Sequence, residues 1–552
     1  MSVKIKLPEG EWLPHIPLHP NPNFQMGLRE VSNSLDARDV LYVALGLLTT
    51  ALLRTWHRRA PHKKHAYPPS PRSFPILGNI FSVPSGMEHT AYMTLSRQLN
   101  SDIVFLKLLD KKILILNSSK AATDLLEKNS STYSDRAAIP MIGDSTLMDW
   151  ADFPSLLGYN ELWRSHRRML NNWLNARTVA QFHDLQERQS RLMLQRLLDV
   201  VNDTSHELFS GVKEVFFFSL ASTMFQLAYG YQLRDKHDPI FKEAVLAIDN
   251  MIEAGMYTNF LVNLFPALSY VPDWFPGTGW KRTAREWRKQ KEHAVNVPYE
   301  WTKAQVAAGV AEPSILRELL QNHKLTSEWD VEERDRRLKQ LAMVIYAGGT
   351  DTSSNVLTKF IAAMVLNPHV QAKAQQELEE VLGQFTLPTM ADQDRLPYIR
   401  NVVLETLRWH PVVPLGIPHM CFEDDVYRGY EIPKGTIVIG NIWAMSRDEN
   451  IYKDPETFDP DRFLDPTVPP LSGFGWGRRK CPGIHFGEAS VFISIASMLA
   501  TFTFSKKKNA HGEEVIPEVK EASNSMIMGL KSFEFEMKVR SDKHRQLIQH
   551  GM

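Results

Sequence analysis

The sequence predicts a mainly α-helical protein with small β-sheets. From Pro68 to Val539 apolar residues recur mostly at helical spacing. The longest such stretch, Val331 to Leu366, would measure on the order of 50 Å at about 1.5 Å per residue, so a wide protein must surround it. Strand-type alternation is confined to short pieces. One is YRGYEIPKGTIVIGN, Tyr427 to Asn441, where Val, Ile and Thr flank the turn signal Pro433-Lys434-Gly435.

The 552 residues, 43% of them hydrophobic, suffice for a large core. Lys plus Arg and Asp plus Glu both number 63, so no global charge favours nucleic acid. Two cysteines exclude a disulfide framework and fit a reducing compartment. There is no internal repeat and no low-complexity tract.

In chain order, residues 1–39 form a polar, proline-rich tail with no assignable role. Residues 40–54 read as a membrane anchor. Val40 to Leu53 are uncharged and mostly apolar, though a full span usually needs about 20 residues. Arg54, His57, Arg58, Arg59, Lys63 and Lys64 follow, which places this side in the cytosol and the N-terminal tail in the lumen. The alternatives are a buried helix or a signal-peptide core, and the latter fits poorly after so long a polar lead. Residues 55–79 form a basic, proline-rich linker. Its end, PPSPRSFPILGN, is a stiff extended connector.

The chemistry concentrates near the C-terminus, in FGWGRRKCPG, Phe474 to Gly483. A lone cysteine, Cys481, ends a glycine-rich loop just before a helical run, a setting that suits a thiolate ligand to haem iron. Backbone N–H groups at the start of the next helix would stabilise the thiolate. Gly477 and Gly483 let the backbone approach closely. Arg479 can pair with a haem propionate, and Phe474 can shield the sulfur. The other cysteine, Cys421, reads as an ordinary buried thiol.

The pattern Phe-x-x-Gly-x-Arg-x-Cys-x-Gly, met at Phe474, Gly477, Arg479, Cys481 and Gly483, resembles the cytochrome P-450 superfamily. The tone of YSDRAAIPMIGD and VPDWFPG is similar to that of fungal microsomal enzymes of specialised metabolism. The resemblance implies one haem domain over residues 80–540, a C-terminal tail at 541–552, and haem b as cofactor. It identifies Val331 to Leu366 as the central helix over the haem. That helix carries AGGTDTSS, where Gly348 and Gly349 sit mid-helix at a cost of about 1 kcal/mol each against alanine. A bulge or a close approach would explain them. Asp351 and Thr352 match the family's acid–alcohol pair, a proton relay to dioxygen.

Glu405 and Arg408, at i,i+3, match the family's buried Glu-x-x-Arg, completed by Arg462 of FDPDRF, where Asp461 replaces the usual glutamate. Glu161/Arg164 and Glu333/Arg336 share that spacing but read as surface pairs. Trp163 and Arg167 match the family's Trp-x-x-x-Arg, two propionate donors. His419 sits where a third donor is often found; its alternative is a turn histidine. Gly487 departs from the usual pattern and leaves space under the porphyrin.

These residues together predict a haem-thiolate monooxygenase of the endoplasmic reticulum membrane, single-pass, with a cytosolic catalytic domain. It uses O2 and a small lipophilic substrate, a terpenoid or aromatic metabolite. No flavin or nicotinamide fingerprint is present, so NADPH electrons must arrive through NADPH–cytochrome P-450 reductase. Arg164, Arg168, Arg478 and Lys480 offer a basic face for it. A haem-thiolate isomerase or dehydratase, and a non-catalytic haem-binding membrane protein, are the alternatives. Phe260 to Phe275 reads either as a second membrane contact or as a core-packed segment.

Overall fold

A computed structural model describes Gly46, Thr49, Thr50 and residues 65–83, 86–203, 205, 207–256, 259–322, 326–327, 329–522 and 524–551. The anchor at 40–54, the basic cluster through Lys64 and the tail at 1–39 lie essentially outside these residues.

Helices dominate. We number the longer ones α1 (Glu88–Gln98), α2 (Glu161–Leu174), α3 (His183–Asn202), α4 (Leu208–Tyr229), α5 (Pro239–Gly255), α6 (Gly279–Ala307), α7 (Val331–Leu366), α8 (Pro368–Leu382), α9 (Pro397–Trp409), α10 (Ile484–Thr501) and α11 (Asp542–His550). Each begins for local reasons where a cap is present. Asn160 accepts from Trp163 N–H before α2, and Asp330 accepts from Glu333 N–H before α7. Helix α4 ends at Gly230, whose φ of 69° is the left-handed conformation that favours glycine.

Helix α7 runs 36 residues through the middle of the protein, packed along α4. Its second half, with α3, α9 and α10, forms one apolar core, including Phe360, Ile361, Val402 and Phe492. Its first half, with α4, α5 and α6, forms another, including Leu341, Tyr346, Phe225 and Tyr299. Helices α4 and α10 are long and apolar enough to cross a membrane, but both are mostly buried in these cores. Helix α11 lies within the predicted C-terminal tail. It is docked by buried Ile548, whose carbonyl accepts from Gln195 of α3 at 3.3 Å.

The two mid-helix glycines of α7 cause no bulge; the helix stays α-helical throughout. A Cβ at Gly349 would stand 2.2 Å from Met224 Sδ, so Gly349 permits close approach of α4. A Cβ at Gly348 would meet nothing within 4 Å. Overpacking predicts that Gly349→Ala lowers stability by about 1–3 kcal/mol, read as a lower urea midpoint, with Gly348→Ala closer to neutral.

A four-stranded sheet has the order β1-β2-β6-β3, from β1 (Ile103–Leu108), β2 (Lys111–Leu116), β3 (His419–Met420) and β6 (Ile437–Gly440). β1 and β2 are antiparallel, β2 and β6 parallel, and β3 runs antiparallel to β6 with His419 opposite Val438. The strand reading of Tyr427 to Asn441 is half right. Tyr430–Ile432 (β5) pairs with Asp425–Tyr427 (β4) through Arg428 and Gly429, both at positive φ. The turn at Pro433-Lys434-Gly435 therefore joins strands of two different sheets. A third ribbon pairs Phe502–Ser505 (β7) with Glu536–Val539 (β8).

Candidate active site

The loop before α10 wraps Cys481 from both sides. Cys481 N–H donates to Phe474 O at 2.9 Å, which closes the loop on itself. Gly475 and Gly477 take φ of 79° and 52°, open to glycine at little strain. A Cβ on Gly477 would stand 2.4 Å from Leu126 O, and Gly477 N–H donates to Glu127. The loop is thus seated on the segment at Leu126–Ser130. Gly483 caps α10, and a Cβ there would lie 3.9 Å from Cys481 Sγ. Burial pushes the Cys481 thiol above its ordinary value; the Gly483 N–H and the Arg167 guanidinium draw it back down. A Cβ on Gly487 would meet the Phe474 ring at 3.9 Å, so that ring borders the small space Gly487 leaves.

Beside this loop four cationic or cation-capable groups converge. Arg479 points inward, donating to Ser134 O at 2.6 Å and Leu157 O at 2.8 Å, with its guanidinium 4.2 Å from the Trp163 ring centre. Arg167 lies over the same ring at 5.8 Å. His419 hydrogen-bonds Tyr133 O through Nδ1 at 2.7 Å. The fourth group, Arg136, was missed by the sequence reading. It donates to Ile417 O and Pro418 O, both at 2.6 Å, while its Nε is buried without a partner.

Charge explains what this cluster wants. Burial lowers the Arg479 pKa to about 10 despite Asp135 nearby, and Arg167 pushes in the same direction. Burial, Arg136 and Arg479 hold His419 at about 3. Arg136 is lowered by burial and by Arg479, against Asp135. Arg136 and Arg479 thus share one nearby carboxylate, Asp135, itself occupied in accepting from Tyr159 N–H at 2.8 Å, and burial lowers Arg167 with only the Cys481 thiol opposing. Surplus buried cation and an orphaned donor fit the two carboxylates of a haem.

On α7, Thr352 Oγ1 donates to Gly348 O at 2.7 Å. One residue earlier, Asp351 accepts from Asn355 Nδ2 at 2.8 Å. Burial raises the Asp351 carboxyl above its ordinary value, with Lys213, Asn355 and Lys359 opposing.

Further back, Glu405 and Arg408 are fully buried and bidentate, with both N–O distances 2.7 Å. Arg462 Nε joins Glu405 at 3.1 Å. The spare guanidinium donors reach the carbonyls of Ser446, Lys453, Pro455 and Thr457. Asp461 stands outside this cluster and pairs with Lys373 at 2.6 Å. The look-alike Glu161 and Arg164 form a surface pair. Glu333 and Arg336 do not pair: Glu333 meets Arg337, and Arg336 meets Asp152. Cys421 is fully buried and donates to Glu423 O at 2.8 Å.

A helical protein with a cysteine loop, a buried cation cradle and a long helix bearing an acid–alcohol pair defines a haem-thiolate class of enzyme. Residues 68–524 match the cytochrome P-450 family, and the chain belongs to it. It is 39% identical over 459 residues to cytochrome P-450 monooxygenase 98 of Postia placenta, covering 82% of this chain and 86% of that one. It is 38% identical to a cytochrome P-450 monooxygenase of Armillaria gallica over 90% of this chain and 97% of that one. Tryptamine 4-monooxygenase of Psilocybe cyanescens is 34% identical over 82% of this chain and 89% of that one. The protein is a haem monooxygenase that uses O2 and an organic substrate.

Proposed function

We propose that this chain is a membrane-anchored monooxygenase of fungal specialised metabolism that oxidises a small lipophilic substrate, a terpenoid or an aromatic metabolite, with NADPH electrons delivered by NADPH–cytochrome P-450 reductase. The observation that carries it is the meeting of the Cys481 loop with the cluster of Arg136, Arg167, Arg479 and His419. The haem domain is taken as residues 80–540, after the anchor at 40–54 and the linker at 55–79.

Each residue has a task. Cys481 is the iron ligand, and the Gly483 N–H and the Arg167 guanidinium oppose the burial that favours its protonated form. Arg136, Arg167, Arg479 and Trp163 hold the propionates. His419 Nδ1–H is committed to Tyr133 O, so Nε2 donates only when the ring is protonated, a state that a neighbouring carboxylate favours. Haem bound there supplies the iron that activates O2, and a thiolate ligand favours O–O cleavage. The hydroxyl of Thr352 keeps its lone pairs free to accept a proton, and Asp351 stores one behind it. Glu405, Arg408 and Arg462 brace the chain leading to the cysteine loop. Thr352→Ala should retain haem but divert NADPH electrons to hydrogen peroxide. Unchanged coupling of NADPH to product would remove Thr352 from the relay.

Two observations support the lipophilic substrate class. The segments Ala137 to Phe153 and Met256 to Pro266 contribute Met141, Ile142, Met148, Phe153 and Val262 to the apolar cluster around the first half of α7. One relative is named for the monooxygenation of tryptamine, a small aromatic amine. Arg168, Arg478 and Lys480 are exposed near the cysteine loop and suit an acidic electron donor.

The stretch from Phe260 to Phe275 divides. Phe260 and Val262 are buried, whereas Tyr270 and Trp274 stand 88% and 81% exposed. That exposure supports a second membrane contact around Trp274. Endoplasmic reticulum placement with the haem domain in the cytosol makes a separate prediction. Of the sequons at Asn117, Asn129 and Asn202, Asn117 is buried and Asn129 donates to Asp425, leaving exposed Asn202 as the informative one. Peptide mapping should find Asn202 unmodified in protein from a eukaryotic host; a glycan there would place the haem domain in the lumen.

A further inference from the structure

Beside α7 lies a small crevice bordered also by α4 and α5, and lined by Phe217, Ile248, Asp249, Tyr346, Thr350 and Asp351 among others. It holds two carboxyl groups in a wall that is otherwise mostly apolar. Asp351 comes from α7 and Asp249 from α5, and Asp249 feels the charge of Asp351. Thr350 is 2% exposed, and its hydroxyl has no partner. A buried hydroxyl without a partner beside two carboxyls is a seat for water. The space suits about one water molecule. Asp249 itself reaches solvent at the mouth, with apolar side chains packed around its base.

We propose that Asp249 is the outer carboxyl of a two-carboxyl proton path, taking a proton from bulk water at the crevice mouth and passing it, through water held by Thr350, to Asp351. The transfer is a proton exchange only. Asp249 gives its proton to the water seated at Thr350, that water gives one to Asp351, and bulk solvent reprotonates Asp249. The inference rests on the relay reading of Asp351 and Thr352 and extends it to a residue on a different helix. Asp249 acts through Asp351, and it is a positioning and proton-holding residue.

The surrounding charges make this residue a proton holder near neutrality. Burial, Asp351 and Glu253 of its own helix raise the Asp249 pKa to about 6, and Lys213 of α4 is the opposing cation. Tyr346 of α7 also faces the pair and is held neutral, its phenol raised by burial, both carboxyls and Tyr229 of α4. Lys213 acts on both carboxyls and Lys359 on Asp351 alone, so the outer carboxyl, Asp249, is the one less opposed by cations and better placed to hold the proton.

The test uses the full-length haem protein with its reductase, NADPH and O2 alone, with no added substrate. The share of NADPH electrons recovered as hydrogen peroxide is measured against pH. In the wild type that share should step upward as pH rises through about 6, where Asp249 gives up its stored proton. Asp249→Asn should hold the share at the high-pH level throughout, and Asp249→Glu should restore the step.

A second readout needs no turnover. Because the folded protein binds the Asp249 proton more tightly than the unfolded chain, wild-type stability should fall as pH rises from the ordinary aspartate value through about 6. Asp249→Asn should flatten that fall in urea titrations. Asp351→Asn separates the two claims. If Asp351→Asn raises the peroxide share while Asp249→Asn leaves both the share and its pH step unchanged, the outer carboxyl is overturned and the relay stands. If Asp351→Asn changes nothing, the relay falls and this inference falls with it.

Discussion

Cys481→Ser should give a protein without the red-shifted Soret band that a ferrous, CO-bound haem-thiolate shows. Serine keeps the size and the Phe474 carbonyl contact of the loop, because that bond uses the backbone N–H of residue 481. What it removes is the thiolate, since an alcohol does not ionise under the influence of one N–H and one guanidinium. Arg136, Arg167 and Arg479 stay in place to hold propionates. The variant should therefore retain part of its haem while losing the thiolate spectrum and all NADPH-dependent turnover. A variant that keeps the band would show that another group ligates the iron.

Glu405→Gln carries the largest expected loss of stability. The carboxylate neutralises both Arg408 and Arg462, and Glu405 and Arg408 are wholly buried. Glutamine preserves volume but leaves two guanidinium groups without a counter-charge, a loss on the order of 3–5 kcal/mol. The effect should appear as a lower urea midpoint and as poor haem retention. The arginines also tie together the carbonyls of Ser446, Lys453, Pro455 and Thr457, and all of those bonds depend on the carboxylate that orients the donors. Asp461→Ala should be mild by contrast, because Asp461 pairs only with partly exposed Lys373 at the surface.

The parts legible in the sequence were those whose spacing is local. The cysteine loop is a run of ten residues, and its glycines are needed where the backbone turns left-handed or meets Leu126 O. Glu405 and Arg408 lie one helical turn apart, and the acid–alcohol pair is adjacent in sequence. The length of α7 was visible because nothing interrupts its pattern between the Asp330 cap and Leu366.

What escaped depends on distant chain. Arg136 carried no motif; only the fold brings the carbonyls of Ile417 and Pro418 to it and sets its charge within reach of Arg479. A signal was present, since a lone arginine just before the apolar run from Ala137 had no visible surface role. The partner strand of Ile437–Gly440 is Lys111–Leu116, more than three hundred residues earlier, which no local turn signal reveals. A bulge or a close approach was expected to explain Gly349, and the approach is to another helix, at Met224. Asp249 carried no motif, and its place in one crevice with Asp351 follows only from the fold.

The central claim is that Cys481 holds a haem iron fed with electrons by a separate reductase. The most direct measurement is the CO spectrum of the purified wild-type protein, reduced by NADPH alone and then by NADPH with the reductase added. The thiolate-type Soret band should stay absent with NADPH alone and develop fully once reductase is present. A band at the position of a nitrogen-ligated haem, or full reduction by NADPH without any partner, would contradict the account.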